Sequence, residues 1–247
     1  MPRLTPFDHL IAALIVAVLP LWGACVLAVV VCKKKGEAPG NPRLRVYWGT
    51  MVISAVLAGS TLLFWASQDR SWGDLGIVWK SSLVVWLALG VLIAAMWPLL
   101  RWRAIALAKP ETIEQVRKAL ASRGAGSLLP RRRNEFPAFY ALGISSAICE
   151  ELLYRGYLFW YARKAMPLWA AVIAVSVVFG LGHMYQGRQG AIGAALLGIV
   201  FVGLYLVTSC LLLPVLLHAL VNLHQAQAIQ TTVRRFSAEP GLPATPD

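Results

Sequence analysis

A chain of 247 residues that is 58% hydrophobic and only 14% charged falls well short of the roughly 25% charge of a soluble domain and reads as a membrane protein. Its formal charge of +12 suggests nucleic acid, but the basic residues collect in loops beside apolar segments, so no nucleic-acid partner is expected and the partner is the lipid bilayer. The four cysteines form no CxxC pair and have no metal-ligand spacing; they read as small apolar packing residues.

The first apolar segment, Leu10 to Val31, contains no Asp, Glu, Lys or Arg and is long enough to cross a bilayer, which takes about 20 residues of helix. It is too long for a signal-peptide core and ends in Lys33, Lys34 and Lys35 without a small-residue cleavage pattern, so it is expected to stay as an anchor. Tyr47 to Gln68 and Ser81 to Leu100 are equally free of charge. A fourth span, Pro137 to Tyr161, is interrupted by Glu150, Glu151 and Arg155, and a fifth covers Pro167 to Met184. The uncharged run from Gln189 to Val233 accommodates two more helices, with Thr208, Ser209 and Pro214 marking the break.

The expected fold class is therefore all-α, a polytopic transmembrane helix bundle of about seven spans with the chemistry in the last four. Residues 1–135 hold three transmembrane helices and a basic loop, 136–230 a helical core, and 231–247 a disordered tail. The longest loop carries a short helical stretch around Glu111 to Ala121. Five basic residues and one acid lie between Lys33 and Arg45, and nine basic residues and three acids between Arg101 and Glu135. Short basic loops mark the cytoplasmic side, so the amino terminus is expected outside and the carboxy terminus in the cytoplasm, in the inner or plasma membrane. Tryptophans near span ends, among them Trp22, Trp48, Trp65, Trp97 and Trp169, read as an interfacial belt. Gly180, Gly182, Gly190, Gly193, Gly198 and Gly203 allow close helix packing.

Ionisable residues inside a bilayer are costly and mark function by default. Here they fall into three patterns: Glu150-Glu151-Leu-Leu-Tyr-Arg155, Phe179-Gly-Leu-Gly-His183 and His218-Ala-Leu-Val-Asn222. Residues four apart share a helix face, so Glu151 and Arg155 are expected to pair. Glu150 points about 100° away and lacks that partner, leaving it available as a general base acting on water. His218 and Asn222 also share a face; they could form an oxyanion hole or offer ligand atoms to a metal. Cys149 beside Glu150 has no basic neighbour to activate it as a nucleophile.

These three patterns, in order on successive hydrophobic segments, resemble the CPBP family: CAAX prenyl endopeptidases and related bacterial bacteriocin-processing, immunity and sorting peptidases. The resemblance covers about Phe136 to Gln225. It implies an intramembrane endopeptidase, a hydrolase that cuts near the terminus of a membrane-associated protein or peptide. Glu150 matches the base that activates water and His183 the histidine that helps to bind that water. Glu151 and Arg155 match a supporting ion pair, His218 and Asn222 the pair that stabilises the oxyanion, and Phe179 an aromatic packed beside the site. Glutamate-peptidase and metalloprotease mechanisms both remain open: Glu150, His183 and His218 could hold a divalent metal such as zinc, although there is no His-Glu-x-x-His motif. The rivals are a non-catalytic immunity or helper protein that keeps the polar cluster, and a proton-coupled transporter.

Overall fold

A computed structural model describes residues 4–31, 41–79, 81–106, 109, 111–112, 114–115, 118 and 125–238. Every regular element among them is helical. We number the principal helices α1 (Pro6–Val31), α2 (Pro42–Ser67), α3 (Leu83–Ala106), α4 (Phe136–Glu151), α5 (Phe159–Ala165), α6 (Leu168–Gly182), α7 (Gly187–Thr208) and α8 (Leu212–Ala238). A π-helical segment, Leu152–Leu158, joins α4 to α5 without a break, so Phe136–Ala165 is one rod.

Among the described residues, five stretches are long and apolar enough to cross a membrane: Pro6–Val26, Pro42–Ser67, Arg133–Ala165, Met184–Thr208 and Leu212–Arg234. Of the other two expected spans, Leu168–Gly182 is a shorter apolar helix, and α3 (Leu83–Ala106) is apolar over Leu83–Ala95. Large apolar side chains lie on the outside as well as the inside, with Leu63 75% and Leu83 74% exposed. That is the surface of a helix bundle whose solvent is lipid, and the protein is an integral, multi-pass, all-α membrane protein.

The rod sits at the centre. α4 packs against α2 and α8, and α6 packs along α7. Close approach of α6 and α7 depends on small residues: a Cβ on Gly180 would lie 2.7 Å from the Ala191 carbonyl oxygen, and one on Gly198 3.2 Å from Ser176. A Cβ on Gly193 or Gly203 would meet nothing within 4 Å, so the packing role expected of all six glycines is not general. Asn41 caps α2 by accepting the Arg43 N–H, with Pro42 at the first helical position. Its amide also donates to Glu135, tying the start of α2 to the start of α4.

Several expectations are corrected. α8 runs on to Ala238, past the expected start of the tail at residue 231, because Thr232 is buried and Gln230 accepts a hydrogen bond from Tyr140 of α4. Trp65 is no belt residue: it is wholly buried, edge-on to Trp160 and beneath the Arg70 guanidinium. Trp48 and Trp169 are exposed, as a belt requires. The break before α8 occurs where expected, with Ser209 left-handed at φ 49° and the Thr208 hydroxyl accepting from the Cys210 N–H. Lys33 to Lys35, most of Glu111 to Ala121 and the tail beyond Ala238 lie outside the described residues.

Candidate active site

The rod changes its winding at the residues that the sequence singles out. α4 ends on Glu151 and the next seven residues are π-helical, a rare form that is frequent at functional sites. Glu151 and Arg155 still meet: Arg155 Nη1 donates to Glu151 Oε1 at 2.9 Å, and both side chains are wholly buried. The Arg155 guanidinium lies 4.1 Å from the Phe179 ring centroid and 5.1 Å from that of Phe201. Phe179 therefore does more than fill space, since its ring face takes a buried cation.

His218, reaching in from α8, also contacts the ion pair. Its Nδ1 lies 2.8 Å from Glu151 Oε1. Because that oxygen already accepts from Arg155, Nδ1 must carry the hydrogen, and Nε2 is left facing Glu150 Oε2 at 4.0 Å. The ring is fixed by stacking on Phe201, with centroids 5.0 Å apart and planes at 21°. His218 was expected beside Asn222 as an oxyanion donor; it also bridges the two glutamates.

Glu150 has no ion pair of the Glu151 type, as expected, and its Oε2 is buried without a hydrogen-bond partner. Glu150, Glu151 and Arg155 alone would leave one negative charge in the membrane interior. The one cation of this set is thus shared by two carboxylates, with the His218 ring between them.

His183 caps the end of α6. Its Nδ1 lies 2.8 Å from the Phe179 carbonyl oxygen. A carbonyl only accepts, so Nδ1 donates and Nε2 is the ring nitrogen that remains available. Asn222, one turn beyond His218, donates from Nδ2 to the Gly143 carbonyl at 2.9 Å, and keeps one amide hydrogen. A Cβ on Gly143 would lie 3.3 Å from the Asn222 Cβ, so glycine is what lets α8 come this close.

Glu150, His183, His218 and Asn222 all line one cavity of about 340 Å³. Cys149 does not line it. α1 and α2 contribute Trp22, Tyr47, Thr50 and Ser54 to its wall, and Tyr154 lines it too. Sequence reasoning passed over Tyr154, although it follows Glu150 by four and the same spacing rule would have placed both on one face. No pattern marked the α1 and α2 residues.

Glu150 and the Nε2 atoms of His183 and His218 are donors that a zinc ion accepts. Among the described residues, however, no three His, Cys, Asp or Glu side chains converge on one point as a metal site requires. The side chains as placed do not fit a three-ligand ion.

Residues 132–224 match the family model described as type II CAAX prenyl endopeptidase, Rce1-like. Comparison with curated proteins and with solved structures gave no match. The matched residues contain the rod, α6, α7 and the part of α8 that bears His218 and Asn222. The segment carrying the cluster is thus similar to the type II CAAX prenyl endopeptidases of the Rce1-like group, in keeping with the CPBP family that the motifs resemble.

Proposed function

We propose that the chain hydrolyses a peptide bond near the terminus of a membrane-associated protein or peptide, with Glu150 as the base that activates water. The observation that carries this reading is Glu150 Oε2, which is buried and unpartnered, lies 4.0 Å from His218 Nε2, and belongs to a residue on the cavity wall. A water held between Glu150 and His183 Nε2 gives a proton to Glu150 as its oxygen attacks the scissile carbonyl carbon. The charge that develops on the carbonyl oxygen is met by the His218 Nε2–H and the remaining Asn222 N–H. Glu150 then passes the proton to the leaving nitrogen, the C–N bond breaks, and a carboxylate and an amine result. Glu151, held by Arg155, keeps His218 oriented throughout through its Nδ1.

The same account places the amino terminus outside and the carboxy terminus in the cytoplasm, following the basic loops. Glu150 then lies roughly 20 Å along the rod from its cytoplasmic start. That depth favours a carboxy-terminal sorting tail or an exported precursor, such as a bacteriocin, over a prenylated protein approached from the cytoplasm. One observation favours a non-catalytic immunity or helper role: the Asn222 amide is already engaged by Gly143.

The test reconstitutes the wild type and Glu150→Gln in lipid with a mixture of membrane-anchored peptides and reads the products by mass spectrometry. Cleavage by the wild type alone is expected, and equal cleavage by Glu150→Gln would refute the mechanism. A chelator arm decides whether any metal takes part.

A further inference from the structure

A further cavity lies at the far end of α8, and it is lined by Arg131, Arg132, Arg133, Arg234 and Gln230, with Phe136 and Val233 completing the wall. Four arginines from two separate parts of the chain converge there, and no acidic side chain lines the space. The nearby acid is turned inward: Glu135 is wholly buried, accepts from the Arg131 and Arg132 backbone N–H groups and from Asn41, and pairs with Arg43. Gln230 accepts from the Tyr140 hydroxyl through Oε1, which leaves its amide hydrogens to donate.

Position in the fold narrows the ligand. Arg133 opens one membrane-crossing stretch and Arg234 closes another, and both side chains are exposed. This puts the cluster at the boundary between apolar core and water, the level of lipid phosphates. Guanidinium groups suit that task because their planar donors match phosphate oxygens in pairs.

We propose that this pocket binds the phosphate of an anionic membrane lipid, clamped between the segment entering α4 and the end of α8. The cavity face of α8 runs through His218, Asn222, Gln225 and Ile229 to Val233 beside this pocket. A bound headgroup would therefore brace the one helix that carries His218 and Asn222. The assignment does not depend on the peptidase reading, since it concerns lipid retention and not turnover.

The test uses the full chain in nanodiscs containing phosphatidylcholine with a minority of phosphatidylglycerol, and native mass spectrometry to count retained lipids. The wild type should retain phosphatidylglycerol preferentially. An arginine near the membrane surface contributes about a 5-fold preference for anionic lipid, so Arg133→Gln with Arg234→Gln should lower retention roughly 30-fold. Arg163→Gln, at the opposite end of the rod, should leave it unchanged, and unfolding temperatures confirm that each variant is folded. Unchanged retention in the double variant, or an equal loss in Arg163→Gln, would overturn the proposal. Displacement of the lipid by millimolar inorganic phosphate would also overturn it, by assigning the pocket to free phosphate.

Discussion

Of the wholly buried carboxylates that face an arginine, Asp8 and Glu151 are both linked to the π-helical stretch of the rod. At Asp8 both oxygens are used. Oδ1 accepts from Arg70 Nη1 at 2.6 Å and from the Tyr157 hydroxyl at 2.8 Å, while Oδ2 accepts from Arg70 Nη2 and from Thr5. The Arg70 guanidinium is also packed over Trp160, 4.8 Å from its centroid. At the other cluster Glu150 Oε2, Glu151 Oε2 and Arg155 Nε all lack partners. Leaving buried polar atoms unmatched costs stability, so a fold that completes one buried ion pair and leaves the next one open is keeping the second for something else. The clasp closes the α1–rod contact, and the open cluster borders the cavity.

The largest stability effects should come from the two arginines. Arg155→Gln and Arg70→Gln each strand a buried carboxylate and should cost about 3–5 kcal/mol, read as a lower unfolding temperature in lipid or detergent. Arg155→Gln should also abolish turnover, because Glu151, which orients His218, loses the partner that holds it. Arg70→Gln should not change turnover per folded molecule. Next comes Asn222→Ala, expected to lower kcat about 10²–10³-fold through loss of an oxyanion donor, with a stability loss of about 1 kcal/mol from the Gly143 hydrogen bond. The smallest effect on turnover belongs to the Asp8–Arg70 contact: Tyr157→Phe removes one hydrogen bond to a charged acceptor and should cost about 1.5–3 kcal/mol in unfolding measurements, with peptide cleavage unaltered. If Tyr157→Phe impaired cleavage as Asn222→Ala does, the division between closed and open clusters would fail.

How much of this was legible follows from sequence separation. Helix periodicity and the absence of charge mark the spans, and four-residue spacing pairs Glu151 with Arg155. The His218–Glu151 contact joins residues 67 apart, and no local rule supplies it; the orientation of His218 towards Glu150 follows from that contact. The π-helical winding is equally hidden, because no residue pattern within Leu152 to Leu158 separates it from an α-helix. Trp65 shows the opposite error: position near a span end suggested a belt, whereas Arg70 and Trp160 draw it into the core. The α1 and α2 wall of the cavity carries no Asp, Glu, Lys, Arg or His, so a search for buried charge could not find it.

The most direct test measures unfolding temperature and turnover together for Glu150→Gln and Arg70→Gln in the same lipid. The account predicts a crossed result. Glu150→Gln should unfold with the wild type while losing about 10²–10⁴-fold in turnover, the usual contribution of a general base, and Arg70→Gln should unfold early while its folded fraction cleaves normally. Turnover that survives in Glu150→Gln, or that fails only in proportion to unfolding in both variants, would contradict the assignment of chemistry to the open cluster.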